Sequence, residues 1–450
     1  YRNLKSENFS ELKDLLGGSG FLDVDFFAEG EDGEVIIKVG DIAQTDLRNR
    51  NRITKEGDRY KYNYEIKSEV LSGFAQTQFK FNRVDFYLGA SVSNTNYQRD
   101  GLFENGNYPG NESFGEGEKQ SFTNYGIKAG ATCKVTGKHL IDVNLGYLSK
   151  APTIRNTFTN ARQNNAITIG LESEKIQNID IGYIFRLAIV KARFTAFYSN
   201  FKAGSDLGFY FTENISGLGL EQDAFIQEVM TNVEKQYIGG ELGIEAQVTP
   251  TIKLKSAASM GQYTYSNSPN LYITSDDLEG PVSFGNGTTK LKNYHVAGGP
   301  ERAYQLGIEY RDPKFWWVGL TTNYYSNAYL DINNLARSDN FSSDFDGQPF
   351  NNYDPEVAKE LLKQEKFDDY FLVNVTGGKS WKIKQYYIGF FVSINNALDQ
   401  EYVTGGFEQG RKSNYRDLKE DKSLEYGPVF GPRYFFGAGA SYYLNVYVRF

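Results

Sequence analysis

The feature that most constrains this chain is a strict alternation of apolar and polar residues. From Tyr434 to Phe450 every even position is apolar, without a charge or an amide, while the odd positions include Arg433 and Arg449. The same alternation recurs in separate segments, at 84–92, 141–147, 190–198, 238–248, 304–310 and 386–394. A period of two residues indicates β-strands with one dry face and one hydrated face. We therefore expect an all-β fold.

Composition agrees with strands but does not place them. Aromatic residues make up 15% of the chain, with 33 Tyr, 33 Phe and 46 Gly. Strands favour aromatic side chains, and glycine favours turns. The mean hydropathy is −0.52, and no apolar run approaches the roughly 18 residues of a membrane helix. A membrane β-barrel has a similarly polar mean hydropathy because its strands alternate apolar and polar residues. The periodicity, and not the mean hydropathy, therefore has to distinguish a soluble protein from a membrane barrel.

Charge and cysteine content narrow the function. The formal net charge of −8 argues against nucleic acid as a partner. The single cysteine, Cys133, excludes an internal disulfide and a cysteine zinc cluster. It lies on an apolar row, so we expect it to face lipid.

The connections between the predicted strands fall into two classes. Short turns are predicted at 82–83, 136–138, 249–251 and 312–314. Long polar stretches lie between them, at 99–120, 150–173, 204–225, 267–301, 331–367 and 398–431. Bacterial outer-membrane barrels have short periplasmic turns and long outer loops. A soluble sandwich or propeller also alternates, but it does not place long loops at one end only. The pattern predicts a transmembrane antiparallel β-barrel.

The strand count sets the expected organisation. We predict about thirteen strands in residues 60–450, as the C-terminal part of a barrel. Residues 1–59 are predicted to be one long extracellular loop region, with a short helix at Phe9–Leu16. A closed bacterial barrel has an even number of strands, and an open edge in lipid leaves backbone groups unpaired. The sequence is thus expected to be part of a larger barrel.

Five segments in order carry a resemblance to a known family. They are GYLSKAPTIRNTF (146–158), LESEKIQNIDIGY (171–183), YIGGELGIEAQVTPTIKLKSAAS (237–259), VSINNALDQEY (392–402) and GPRYFFGAGASYYLNVYVRF (431–450). Together they resemble the C-terminal half of TonB-dependent outer-membrane receptors and transporters. Each motif alone is weak, whereas five in the same order are specific.

The resemblance implies a function and several partners. It implies a barrel of about 22 strands, integral to the outer membrane of a Gram-negative bacterium, with an N-terminal plug that is not in this sequence. It implies active import of a bulky, scarce nutrient (a ferric siderophore, an oligosaccharide or a peptide) driven by the TonB complex through the plug. Outer-membrane lipids and the barrel-assembly machinery are implied partners. The machinery would read the last strand as a signal through Tyr442, Leu444, Val446, Val448 and Phe450.

Candidate contact residues for a plug or ligand lie in two places. Lys191, Arg193, Glu241 and Glu245 are predicted to face the lumen, and their mixed signs suit a hydrated interior better than an ion-selective pore. The other candidates, in the loop that follows the strand ending near Tyr147, are Arg155 and Arg162.

No catalytic constellation is evident. The sequence has no Walker loop, HExxH motif or EF-hand spacing, and we expect neither a metal nor a cofactor. The histidines are His139 and His295, and a site combining His295 with Asp276 and Asp277 is the one enzymatic alternative. Two non-enzymatic alternatives stay open: a receptor or scaffold barrel acting with a surface lipoprotein, and a passive porin. A plug with a TonB box upstream would favour import over both.

Overall fold

The computed structural model describes residues 1–25, 40–218, 224–276, 278 and 280–450. Within these residues the strands are β1 Arg2–Glu11, β2 Phe21–Leu22, β3 Ile53–Thr54, β4 Arg59–Lys80, β5 Val84–Gly101, β6 Gly115–Glu116, β7 Gln120–Lys134, β8 His139–Lys150, β9 Glu174–Arg186, β10 Val190–Thr212, β11 Ala224–Gln247, β12 Ile252–Tyr265, β13 Asn270–Ser275, β14 Arg302–Arg311, β15 Trp316–Ser326, β16 Tyr370–Ile383, β17 Tyr386–Asn395, β18 Val403–Phe407, β19 Arg433–Phe436 and β20 Ser441–Arg449. The α-helices are α1 Ile154–Thr157, α2 Pro355–Leu361 and α3 Tyr415–Lys422, and 3₁₀ turns cover Asp41–Ala43, Leu47–Asn49, Gly110–Glu112, Leu335–Arg337 and Asp339–Ser342.

One sheet of 16 strands dominates the fold. Its path runs β1-β4-β5-β7-β8-β9-β10-β11-β12-β14-β15-β16-β17-β20, with β6 paired to β5 and β13 paired to β11. Each strand in the path pairs antiparallel with its neighbours. The sheet is open, since no pairing among the described residues joins β1 to β20. The fold is therefore all-β, and its two edges carry unpaired backbone groups.

The N-terminal residues differ from the sequence-based expectation. Arg2–Glu11 is a strand of the main sheet, in register with β4 from Arg2 opposite Val70 to Glu11 opposite Arg59. The predicted loop and the helix at Phe9–Leu16 were wrong for these residues. The unpaired edge of β4 provides the ladder, and cross-strand pairs such as Lys5 with Glu65 (2.7 Å) stabilise it.

The connections sort to two ends of the sheet. The four predicted short turns join β4 to β5, β7 to β8, β11 to β12 and β14 to β15, and two further short turns join β9 to β10 and β16 to β17. In an antiparallel sheet alternate connections lie at opposite ends, so all six share one end, the short-turn end. The long connections share the other. One of them is shorter than predicted, because β10 continues to Thr212 and β11 begins at Ala224; residues 219–223 lie outside the described part.

The two faces of the sheet differ as the alternation predicts. On the face that we call outer, Phe390 is in register with Val446, and Val446 is 66% exposed. On the other, inner face, Lys191 is in register with Glu245. Cys133 is exposed on the outer face between Val84 and Ile141. None of the described helices is long and apolar enough to cross a membrane.

The largest buried core lies among the long connections and not against the sheet. We call the described residues of 204–233, 265–301, 327–369 and 396–440 the loop cap. Its main apolar cluster consists of Ile215, Ala224, Ile226, Met230, Val233, Tyr265, Leu271, Ile273, Phe284, Leu291, Ile332 and Leu335. A second cluster consists of Ala336, Phe341, Phe350, Ala358 and Tyr415. The long connections are therefore a folded layer over one end of the sheet.

Candidate functional site

The inner face carries a cavity of about 800 Å³ below the loop cap. It is lined by residues of six neighbouring strands, β9 to β12, β14 and β15. One register row of the inner face, Thr195–Glu241–Ser259–Ala303–Tyr325, crosses five of them. Its polar lining includes Asp180, Arg193, Glu241, Gln305, Asn323 and Tyr325. The volume lies in the range typical of ligand sites.

Charges of both signs border this cavity. Arg193 Nη2 lies 3.2 Å from Asp142 Oδ2, and Asp142 is buried. Asn144 Nδ2 donates to Asp180 Oδ1 at 3.0 Å. Glu241 is exposed, and within the described residues its carboxylate forms no hydrogen bond or ion pair. The site thus offers a partly neutralised guanidinium and a free carboxylate to whatever fills the inner face.

The two other predicted lumen residues lie on the same face but closer to the short-turn end. Glu245 Oε1 is 3.2 Å from Lys253 Nζ. Lys191 is in register with Glu245 on the neighbouring strand. Neither Lys191 nor Glu245 lines the cavity, so the structure groups Arg193 with Glu241 and separates the second pair from them.

An aromatic row lies between the cavity and the cap, and sequence reasoning missed it. Tyr237 packs against Phe201 at 5.1 Å and against Tyr263 at 4.8 Å between ring centroids. A second group joins Tyr370 to Tyr325 at 5.1 Å and to Tyr402 at 4.5 Å. The alternation could have identified it, because Tyr237 lies four positions before Glu241, and residues an even number apart in a strand share a face. Such rings bind apolar or planar ligand groups.

The predicted loop arginines lie elsewhere. Arg155 is exposed on α1, whose first turn is capped by Thr153 Oγ1 accepting from Asn156 N at 3.3 Å. Arg162 is exposed, with its guanidinium 5.3 Å from the Tyr62 ring centroid. Both belong to the long connection 151–173 and neither lines the cavity. Their contact with a plug or ligand stays a prediction.

Arg99 fixes that connection, and sequence reasoning did not single it out. Its side chain is buried and has no carboxylate partner in the described residues; Nε donates to Ala161 O at 2.7 Å and Nη1 to Ser113 O at 2.8 Å and Asn165 Oδ1 at 2.6 Å. Burial lowers the pKa of Arg99 to about 10. One guanidinium thus positions the loop that contains Arg155 and Arg162.

Two ion-pair groups hold the loop cap together. Arg337, 2% exposed, donates through Nη1 and Nη2 to both carboxylate oxygens of Glu408. Glu213 accepts from Arg411 Nε at 2.5 Å and from Lys412 Nζ. Burial raises the pKa of Glu213, but the hydrogen bonds from Lys412 and Arg411 outweigh it and hold that pKa below its usual value. The cap is therefore cross-linked by charges as well as by apolar packing.

The cap also contains a buried carboxyl group, that of Glu228, whose pKa lies above its usual value. Burial raises the pKa of Glu228, although Tyr210 Oη and Asn334 Nδ2 donate to it at 2.5 and 2.9 Å.

The enzymatic alternative finds no support in the side-chain geometry. His295 Nδ1 lies 2.8 Å from Glu301 Oε1, and its ring stacks on Tyr329 at 3.7 Å. Asp276 instead accepts from Tyr108 Oη at 2.9 Å, and Asp277 lies outside the described residues. No group of three or more His, Cys, Asp or Glu side chains that could hold a metal occurs in the part of the chain that the structure describes.

Comparison with known proteins places the chain in a family. Residues 10–397 match the family described as "TonB dependent receptor-like, beta-barrel". The chain belongs to the TonB-dependent receptor β-barrel family. The match confirms the resemblance drawn from the five sequence segments. Members of this family are outer-membrane transporters and not enzymes, so the expectation that this chain is not an enzyme is confirmed by its family.

Solved structures share the fold at low sequence identity. The copper transporter OprC is 13% identical at a TM-score of 0.52, over 89% of this chain and 50% of that protein. The ferric citrate transporter FecA is 10% identical at 0.52, over 88% and 47%. The siderophore receptor PiuA from Acinetobacter baumannii is 12% identical at 0.54, over 88% and 45%. The chain thus spans about half the length of these proteins. No curated protein matches its sequence.

Proposed function

We propose that this chain is the C-terminal barrel portion of a TonB-dependent importer in the outer membrane of a Gram-negative bacterium. The observation that carries the proposal is a folded loop cap above a polar cavity, at the long-loop end of a sheet whose outer face is apolar. A cap of this kind can capture a solute outside the cell, and the cavity lies directly below it. The proposal places the short turns in the periplasm and the cap outside.

The two open edges support a larger closed barrel. The main path holds fourteen strands, that is, the sheet of 16 without the side strands β6 and β13. Unpaired strand edges in lipid are costly, and closure at about 22 strands requires about eight more between β1 and β20. We propose that a plug fills the inner face and couples to the TonB complex, and that the barrel-assembly machinery reads the exposed row Tyr442, Leu444, Val446, Val448 and Phe450.

The cavity suits a bulky solute. Its volume of about 800 Å³, the exposed Glu241 and the aromatic row around Tyr237 fit a ligand with polar groups and planar or apolar groups. A ferric siderophore meets this description, and the similar solved proteins include a siderophore receptor and a ferric citrate transporter. We therefore propose a ferric siderophore as the first substrate to test, ahead of an oligosaccharide or a peptide.

Uptake in living cells tests the proposal. The full-length gene is expressed in a strain without its own siderophore receptors, and accumulation of ⁵⁵Fe from a panel of ferric siderophores is measured with and without TonB. If the proposed function is correct, ⁵⁵Fe accumulates only in cells that contain TonB. Binding without uptake would indicate a receptor that acts with a surface lipoprotein, and TonB-independent conductance would indicate a porin. The cavity variant Glu241→Gln should lower uptake, while Glu245→Gln, on the same face outside the cavity, should not.

A further inference from the structure

The outer face has a shallow groove near the short-turn end, separate from the cavity of the inner face. It has a volume of about 380 Å³ and is lined on its outer-face side by Trp316, Val318, Gly377, Lys379, Phe390 and Val392. The register puts these side chains on one face, since Lys379 lies opposite Trp316 and Phe390, and Gly377 lies opposite Val318 and Val392. The groove thus crosses β15, β16 and β17.

The floor of the groove is formed by Gly377, which has no side chain. Gly377 is buried between its two valine neighbours. A Cβ at this position would lie 3.1 Å from Trp317 O and 3.9 Å from Val392 Cγ1. A strand position without a side chain leaves a notch, and the walls around it are aliphatic or aromatic.

The ammonium group of a lysine side chain lies at one end of this notch. Lys379 follows Gly377 by two residues on the same face, and its Nζ lies 5.3 Å from the ring centroid of Trp381. Trp381 is two residues nearer the short turn, so the ammonium is directed towards that end. Among the described residues Lys379 forms no salt bridge; Asp312 in the adjacent turn feels its charge without pairing to it.

Aromatic side chains surround the ammonium at this level of the outer face. Trp381 packs on Phe390 at 5.9 Å, and Tyr310 packs on Trp316 at 5.0 Å. Bands of aromatic residues mark the membrane–water interface of barrels, and lysine extends its ammonium to that level. A snorkelling lysine alone would explain the charge, but it would not explain a notch that continues from it into the apolar zone.

We propose that this groove binds one anionic phospholipid of the periplasmic leaflet, with its phosphate at Lys379 and an acyl chain over Gly377. The inference rests on the proposed placement of the short turns in the periplasm. Two observations define the occupant. The ammonium of Lys379 complements an anionic phosphate. In addition, the ammonium lies nearer the short turns and the notch lies deeper in the apolar zone, which is the arrangement of the headgroup and acyl chain of a phospholipid.

Native mass spectrometry of the full-length protein in mild detergent tests the inference. Delipidated protein is titrated with dioleoyl-phosphatidylglycerol, with dioleoyl-phosphatidylcholine as the neutral comparison. Wild-type protein should retain one phosphatidylglycerol in preference to phosphatidylcholine. Lys379→Gln should lower the affinity for phosphatidylglycerol about fivefold, the effect of one lysine near an anionic headgroup. Val392→Phe should lower it as well, because the ring fills the notch while the ammonium stays.

Lys382→Gln is the matched control. Lys382 is on the same strand but on the opposite face, in register with Tyr387, so its loss should not change the affinity. Equal losses in both lysine variants, normal binding by Val392→Phe, or equal affinity for the two lipids would each overturn the inference. Heat-modifiability on gels shows that each variant is folded. If the wild-type protein does not fractionate with the outer membrane, the proposed function fails; lost lipid discrimination in a correctly located protein sinks this inference alone.

Discussion

Replacing Arg337 with methionine should open the loop cap while leaving the main sheet intact. The Arg337 side chain is 2% exposed; besides Glu408, its guanidinium donates to Leu362 O at 2.8 Å and Asn333 O at 3.1 Å. Three stretches of the cap therefore depend on one side chain. Removing one partner of a buried pair costs about 3–5 kcal/mol. Because the Glu408 side chain is 19% exposed and partly hydrated, we expect the lower end, about 3 kcal/mol.

Amide hydrogen exchange measures this opening directly. A loss of about 3 kcal/mol raises the population of the open cap roughly a hundredfold, so protection around residues 333–337, 362–367 and 406–408 should fall by that factor. Arg416→Met is the control, because Arg416 is 48% exposed and its contact with Asp417 is 3.7 Å; it should change stability by less than about 0.5 kcal/mol. Equal protection in the two variants would refute the view that a buried ion pair holds the cap together.

Three further predictions follow from the site. Because burial raises the folded-state pKa of Glu228, the native cap holds more protons than the unfolded chain from about pH 4 up to that raised value, so cap stability falls as pH rises through this window; Glu228→Gln should flatten the dependence in thermal unfolding, and an unchanged slope would contradict the assignment. Arg99→Met should destabilise the connection 151–173 by about 2 kcal/mol and expose it to limited proteolysis, whereas an unaltered digestion pattern would show that other contacts suffice. Tyr237→Ala should weaken ligand binding about fivefold in a fluorescence titration, while Tyr324→Ala on the outer face should not; equal effects would exclude the aromatic row from the site.

The periodicity predicted the strands because each one has its own dry face. The segments around Phe390 and Val446 alternate over enough residues that no partner needs to be known. The same reasoning failed at Arg2–Glu11, which has a weak apolar row and becomes a strand because the edge of β4 is available to it. The local sequence pattern thus predicts strands that have a continuous apolar face of their own. It misses a strand that forms only because it pairs with the edge of a neighbouring strand.

The loop cap and the site lay beyond the reach of the sequence. Arg337 meets Glu408, and Glu213 meets Arg411, across 71 and 198 positions of the chain. Polar, glycine-rich stretches have no hydrophobic periodicity from which such contacts could be predicted. The inward charges were predictable as a set, but the grouping of Arg193 with Glu241 depends on the register between β10 and β11, which the sequence alone does not give.

The account depends on which face of the sheet meets lipid, and site-directed spin labelling of β20 measures this directly. Single cysteines are placed at Leu444, Asn445, Val446 and Tyr447 in a Cys133→Ser background, and the collision rates with oxygen and with a water-soluble nickel complex are compared in bilayers. Labels at Leu444 and Val446 should collide mainly with oxygen, and labels at Asn445 and Tyr447 should lose that preference, in strict alternation. Uniform accessibility along the strand, or the reversed alternation, would contradict a lipid-facing outer row and the importer built on it.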